Sequence, residues 1–296
     1  MIPLSLIIAT SAGRQNHLRH CLLALRAQTL SPAEVLVIDD GSEGMQAVLA
    51  EFEGLWPRLE YHWRTADYNL SRSRNLGAAL SQTAGLVFAN GDVLLNPHAL
   101  AHYAAALNAR PKATFWGYVG CRKSVKAPSL WFPDIQVNWL DFRFFPRSTT
   151  ELFLNPTLAH APHTLAGGHH FALNRATWEQ LGPLDEAFEY WGEEDVEYAL
   201  RGLVAGIPMV FLGEAWAEHM AHPYGEIFHT RANAALEYKV KKILAGENAL
   251  LQRQTPLQDL VIVSFEKECA ILAEQIQRHY LPQQPNALDA ELRLGG

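Results

Sequence analysis

The stretch NLSRSRNLGAALSQTAGLVFANGD, residues 69–92, joins a helical segment to a buried strand that ends in polar residues. Ser71 to Gln82 is predicted to be a helix with Arg74 in its first turn. Leu86 to Ala89 is a short apolar run, which predicts a buried strand, and it ends at Asn90-Gly91-Asp92. The stretch therefore predicts a helix–strand unit with its polar residues at the carboxyl end of the strand.

Similar units lie on both sides of this stretch. The chain alternates predicted strands with helices, and this pattern indicates an α/β fold with a mixed, mostly parallel sheet flanked by helices. The other predicted strands of this half are Leu4 to Thr10, Glu34 to Ile38 and Arg58 to Arg64, and predicted helices begin near Asn16, which we expect as a cap, and at Pro97.

Polar clusters follow three of these strands, at Thr10 to Arg14, at Asp39-Asp40 and at Asn90 to Asp92. A single Asp in such a place is usually a turn or cap residue. Ligands of open α/β sheets bind beyond the carboxyl ends of the strands, so three clusters at three strand ends favour a binding site.

The composition limits the class of protein. The 296 residues are 49% hydrophobic and 19% charged, which is typical of a globular protein with a sizeable core. The net charge of −7 argues against a nucleic-acid binder, and three cysteines without a Cys-x-x-Cys pair argue against a disulfide framework or thiolate zinc site. No stretch is apolar enough for a transmembrane helix, so we expect a cytoplasmic location, with peripheral membrane contact left open.

Residues 4 to about 220 resemble glycosyltransferase family 2, which has the GT-A fold. The resemblance rests on the strand that ends at Thr10, on VLVIDDGS at 35–42 and on residues 69–92. It implies a UDP-sugar donor whose uracil lies on Asp39. The Arg-Asn pair that it places near the diphosphate is Arg74-Asn75. The donor-binding residues expected on this basis are Thr10, Arg14, Asp39, Asp40, Arg74, Asn75, Asn90, Gly91, Gly168 and Trp191.

The resemblance also implies a divalent cation, Mn²⁺ or Mg²⁺. Members usually carry Asp-x-Asp where this chain has Asn90-Gly91-Asp92, so Asp92 is expected to be the carboxylate ligand and Asn90 contributes no charge. The family has a His after a later strand, here Pro208 to Leu212. His219 matches it best, and His222 is the fallback.

The run LAGGHHFALNRATWEQLGPLDEAFEYWGEEDVEYALRG, residues 165–202, resembles the galactosyltransferase-like half of chondroitin-polymerase-type enzymes. By this resemblance Asp195 is the catalytic base of an inverting transfer, and Glu194 binds the acceptor. Acidic residues in a first helical turn also favour the macrodipole, but three in a row after Trp191 exceed what capping needs.

Two further features leave alternatives open. Aromatic residues concentrate in 114–153, either as a sub-core beneath a long loop or as a platform for a sugar acceptor. The spacing of His160, His163, His169 and His170 matches no common zinc pattern, so we do not interpret them as a metal site.

We divide the chain into a GT-A domain at 1–225, with a nucleotide half at 1–110 and an acceptor half at 111–225, and a helical extension at 226–296. Helices are predicted at His229 to Leu244 and Pro256 to Tyr280, to pack on the main domain, with homodimerisation left open. The expected function is transfer of a sugar from a UDP-sugar to a glycan, lipid or peptide acceptor, in glycan or glycoconjugate synthesis. The alternatives are a catalytically impaired sugar- or nucleotide-binding module and a nucleotidyltransferase.

Overall fold

The computed structural model describes residues 1–121, 144–146, 152–154, 157, 160–189, 192–220 and 236–262. Its main strands are β1 (Leu4–Ser11), β2 (Glu34–Asp40), β3 (Leu59–Arg64), β4 (Gly85–Asn90), β5 (Val93–Leu95) and β6 (Thr114–Cys121). They are followed by a hairpin of β7 (Phe144–Pro146) and β8 (Leu152–Leu154), and by β9 (His170–Asn174), β10 (Met209–His219) and β11 (Val261–Ile262). The α-helices are α1 (Gln15–Arg26), α2 (Met45–Ala50), α3 (Leu70–Leu80), α4 (Ala99–Ala109), α5 (Arg175–Leu181), α6 (Glu194–Val204), α7 (Leu236–Leu251) and α8 (Leu257–Leu260).

Within the described residues, the large sheet has the strand order β11-β10-β6-β9-β4-β1-β2-β3, and β5 pairs with β10. Most neighbours are parallel, whereas β9 runs antiparallel to both β4 and β6. Apolar side chains on the two faces of the sheet pack against helices as two separate cores. The prediction of a mixed, mostly parallel sheet flanked by helices is confirmed.

The register of the sheet brings the predicted polar clusters to one edge. Thr10 of β1 pairs with Asp39 of β2, and Ala9 pairs with Asn90 of β4. Helix α3 lies close above β1 because Gly77 has no side chain; a Cβ there would collide with Ile7. The helix that begins the stretch 69–92 is thereby fixed over the strand ends.

Strand β10 is longer than the sequence predicts. The prediction ended it at Leu212, but the strand continues to His219 after a register irregularity between Leu212 and Ala217 in its pairing with β6. Its last residues pair antiparallel with β5, so His219 lies opposite Val93. This extension places His219 beside the residue that precedes Val93, which is Asp92.

Two local predictions are wrong. Asn16 does not cap α1, because the helix begins at Gln15 and Arg14 is its N-terminal flanking residue. The helix predicted over Pro256 to Tyr280 ends at Leu260, because the β-branched residues Val261 and Ile262 form β11 and pair with β10. The C-terminal segment therefore adds an edge strand to the sheet as well as helices α7 and α8. The helix predicted from His229 to Leu244 corresponds to α7, and its residues before Leu236 lie outside the described residues.

No helix among the described residues is long and apolar enough to cross a membrane.

Candidate active site

The loop between β4 and β5 lies against the end of β1. The Gly91 N–H donates to the Ala9 carbonyl at 2.8 Å, and a Cβ at Gly91 would lie 3.0 Å from the Thr10 side chain. Because residue 91 has no side chain, the loop that carries Asn90 and Asp92 can pack directly against the end of β1.

Asp39 and Asp40, at the end of β2, both accept hydrogen bonds from β3 and from nearby loops. The Asp39 side chain is fully buried; its Oδ1 accepts from the Ser42 N–H at 3.1 Å and its Oδ2 accepts from the Tyr61 hydroxyl at 2.6 Å. Burial and the bond to Asp39 raise the pKa of Tyr61, so its hydroxyl stays a donor.

Asp40 points to the opposite face of the sheet. Its Oδ1 accepts from Arg64 at 2.7 Å, and its Oδ2 accepts from the Tyr68 N–H at 2.7 Å. Burial raises the pKa of Asp40, while the Asp67 N–H and the Arg64 charge oppose the shift. Asp40 thereby fixes the loop that leads into α3.

Arg74 of α3 is the buried cation of the site, with 1% of its surface exposed. It pairs with Glu194 at 3.0 Å, donates to Asn90 Oδ1 at 3.1 Å and donates to the Gly168 carbonyl. One guanidinium therefore links α3, the end of β4, the loop before β9 and the start of α6. The amide oxygen of Asn90 is directed at Arg74 by this contact.

Asp195 lies beside Gly168. Its Oδ2 accepts from the Gly168 N–H at 2.6 Å and its Oδ1 accepts from the Val196 N–H at 2.8 Å. A Cβ at Gly168 would lie 2.7 Å from Oδ2, so a side chain there would displace the carboxylate. Burial and the neighbouring Glu194 charge raise the pKa of Asp195 to about 7, against the opposing effects of Arg74 and the two N–H groups.

Asp92 and His219 face each other across β5 and β10. The Met220 N–H donates to the Asp92 carbonyl at 2.9 Å, and His219 Nε2 lies 3.6 Å from Asp92 Oδ1. Both side chains are 13% exposed. The ring of His169, the residue after Gly168, lies with its centroid 5.1 Å from that of His219.

The donor chemistry of this pair fits a divalent cation. A carboxylate oxygen and an imidazole nitrogen 3.6 Å apart can both contact one ion, because each bond to such an ion is about 2.0–2.2 Å long. Within the described parts of the chain, no group of three His, Cys, Asp or Glu side chains already forms a complete ligand set.

The remaining predicted residues lie around this centre. Thr10 is buried at the end of β1, and Arg14 is half-buried at the start of α1. Asn75 binds the backbone of Leu184 in both directions, at 2.9 Å each, and so anchors the loop before α6. Trp191, His222 and residues 122–143 of the aromatic segment lie outside the described residues.

Sequence reasoning missed several members of the site. Tyr61 and Arg64 come from β3, where alternating polar residues face the two Asp side chains of β2. Lys239 of α7 is 4% exposed, although its neighbours on the helix are exposed; burial lowers its pKa, against the charges of Glu194, Glu193 and Asp195. A lysine in an amphipathic helix gives no sequence signal for such a position. The sequence analysis names His169 but does not assign it to the site.

Residues 5–176 match the model of the glycosyl transferase family 2 domain. The chain belongs to glycosyltransferase family 2. The match covers the sheet edge, Arg74, Asp92 and Gly168, and it ends before α6 and β10, which supply Asp195 and His219.

Relatives of this family 2 chain are recognisable along most of its length. A validoxylamine A glucosyltransferase of Streptomyces hygroscopicus subsp. limoneus is 27% identical over 239 residues, which is 75% of this chain and 52% of the relative. The chondroitin synthase of Escherichia coli is 26% identical over 279 residues, 86% of this chain and 38% of the relative. The chain thus spans about half or less of the length of these relatives.

Solved structures of low sequence identity share the family 2 fold. S. aureus TarS 1–349 in complex with UDP superposes with a TM-score of 0.60 at 15% identity, over 94% of this chain and 72% of that one. GalNAc-T7 with UDP, GalNAc and Mn²⁺ superposes with a TM-score of 0.59 at 13% identity, over 93% and 55%. These likenesses establish the GT-A architecture of the sheet and its helices.

Proposed function

We propose that this protein is an inverting, metal-dependent glycosyltransferase that moves a sugar from a UDP-sugar to an acceptor hydroxyl. The observation that carries the proposal is Asp195, a carboxylate held by two backbone N–H groups beside a buried ion pair, with its pKa raised to about 7. A general base is most effective when its pKa is near the working pH.

In the proposed reaction Asp195 accepts the proton of the acceptor hydroxyl while that oxygen attacks the anomeric carbon. The bond from this carbon to the diphosphate oxygen breaks at the same time, and UDP leaves with the bonding electrons. A carboxylate oxygen has two lone pairs, so a bond from Gly168 leaves capacity for the acceptor hydroxyl. Attack opposite the leaving group inverts the anomeric configuration.

The donor would lie along the strand ends, with its uracil at Asp39. Asp92 and His219 would hold a divalent cation, which when bound neutralises charge on the diphosphate. Arg74 is buried and paired with Glu194, so in the free protein it orders Gly168 and Asn90. With the donor bound it would lie near the diphosphate. The UDP and UDP-GlcNAc complexes of TarS and the UDP and Mn²⁺ complex of GalNAc-T7 support this class of donor and cofactor.

The test is UDP release from a panel of UDP-sugars, with and without Mn²⁺, in the presence of sugar acceptors. We expect UDP formation with one donor, dependence on the metal, and a product of inverted anomeric configuration by NMR. UDP binding without release would instead indicate a binding module, and release of pyrophosphate would indicate a nucleotidyltransferase. A product of retained configuration would remove the role of Asp195 as base of an inverting step.

A further inference from the structure

The surroundings of the Asp92–His219 pair contain a second imidazole, which is the third candidate ligand. His169 follows Gly168 directly, and its backbone carbonyl accepts from the Asn90 N–H at 3.0 Å. This bond fixes the His169 backbone against the loop that carries Asp92. His169 is therefore positioned by the same two loops that position the catalytic carboxylate and the metal-binding carboxylate.

The spacing of the two rings is compatible with ligation of one ion. The centroids of His169 and His219 are 5.1 Å apart and the rings are inclined by 73°. Two imidazoles that bind one ion through nitrogens about 2.1 Å away have centroids roughly 5 Å apart, when the angle at the ion is between about 90° and 110°. The spacing of the two rings is thus compatible with two neighbouring ligands of one cation.

Asn90, which precedes Asp92 by two residues, has a different partner. Its Oδ1 accepts from Arg74 at 3.1 Å, so the amide oxygen is directed into the buried cluster. Of the described side chains with nitrogen or oxygen donors beside Asp92 and His219, His169 is the one whose ring faces His219.

We propose that His169 is a third protein ligand of the divalent cation, so that the ion is held by two imidazoles and one carboxylate. This inference rests on the proposed metal dependence of the function. Within the described residues no group of three His, Cys, Asp or Glu side chains forms a preformed ligand set, so the proposal requires the His169 side chain to reorient when the ion binds. Because Mg²⁺ prefers oxygen ligands whereas Mn²⁺, Co²⁺ and Zn²⁺ accept imidazole, the site should favour a transition metal over Mg²⁺.

The inference is tested by metal binding to the full chain, which needs no turnover. Mn²⁺ is titrated into the wild type and into His169→Ala, alone and with UDP, by calorimetry and by EPR. We expect the His169→Ala change to weaken Mn²⁺ binding by at least about 10-fold and to leave weak Mg²⁺ binding almost unchanged. His160→Ala is the matched control, since His160 is an exposed histidine of the same region.

Pulsed EPR counts the imidazole nitrogens on Mn²⁺ directly. Two should be coupled in the wild type and one in His169→Ala. His169→Asp restores an oxygen ligand, and it should recover affinity while shifting preference toward Mg²⁺; this variant and circular dichroism exclude unfolding as the cause. One coupled imidazole in the wild type, or equal Mn²⁺ affinity in His169→Ala and His160→Ala, would overturn the proposal. Mn²⁺ binding with two nitrogens but no UDP release from any donor would support it while refuting the proposed transfer.

Discussion

Carboxylates lie at two places in the candidate site and differ in their surroundings. At the end of β2, Asp39 and Asp40 accept hydrogen bonds from Ser42, Tyr61, Arg64 and loop N–H groups. At the start of α6, Glu194 and Asp195 are adjacent acids that share the charge of one arginine, and the pKa of Asp195 is raised to about 7. The carboxylates at the end of β2 therefore hold the local structure in place, whereas Asp195 can take up a proton near neutral pH.

The two places differ in the groups that the acids contact. Asp40 accepts from Arg64, which also pairs with Asp67, and from two loop N–H groups, whereas Arg74 is divided among Glu194, Asn90 and the Gly168 carbonyl. Burial and the adjacent Glu194 charge favour the protonated form of Asp195. We therefore expect substitution of Asp195 to affect turnover, removal of the buried Arg74 to affect stability, and substitution of Asp39 to affect nucleotide binding.

The largest effect should come from Asp195→Asn. The amide keeps the shape of the side chain but cannot take a proton near neutral pH, and positioned proton transfer contributes about 10²- to 10⁴-fold. We expect turnover to fall by that factor in steady-state assays of UDP release, with UDP affinity by calorimetry unchanged. Near-normal turnover would assign the base to Glu194 or indicate a retaining mechanism, and the product anomer would distinguish these.

Removing the shared cation should be the largest change in stability. Arg74→Ala leaves the Glu194 carboxylate, 4% exposed, without the cation that it pairs with. Breaking a buried pair in this way destabilises a protein by about 3–5 kcal/mol, measured here as the free energy of unfolding in urea.

Arg72→Ala is the matched control on the same helix. Arg72 is 45% exposed and pairs with Asp67 and Glu186 at the surface, so its loss should cost less than about 1 kcal/mol. Equal destabilisation by the two changes would show that Arg74 is not the buried centre of the site.

Much of the scaffold could be predicted from the sequence, because short apolar runs and polar strand ends report local structure directly. The resemblance to family 2 alone predicts that Asp92 and His219 lie together. Their proximity depends on β5 and on the extension of β10 past an irregular register, which no local pattern encodes. The raised pKa of Asp195 and the position of His169 depend on contacts between distant segments, so neither could be predicted from spacing.

The pH dependence should separate the two places as well. Since burial and Glu194 raise the pKa of Asp195 to about 7, kcat/KM should fall about tenfold per pH unit below that value as the base becomes protonated. The residual activity of Asp195→Asn should lack this acidic limb. A wild-type limb near pH 4 would mean that the acting carboxylate is an ordinary, solvated one.

The smallest expected effect concerns the donor side. Asp39→Asn keeps one oxygen to accept from Ser42, whereas its amide nitrogen can only donate, so the bond with Tyr61 must reverse. The change also removes the carboxylate that would accept a base N–H, and a hydrogen bond to a charged group is worth about 1.5–3 kcal/mol. UDP affinity should fall by roughly 10-fold or more, with a smaller change in kcat. Tyr61→Phe removes the same internal hydrogen bond and leaves the carboxylate, so it should lower stability by about 1 kcal/mol and change UDP affinity little. If the two variants lose UDP affinity equally, then Asp39 acts by holding β2 against β3 rather than by contacting the nucleotide. Asp39 would then contribute to folding and not to direct donor binding.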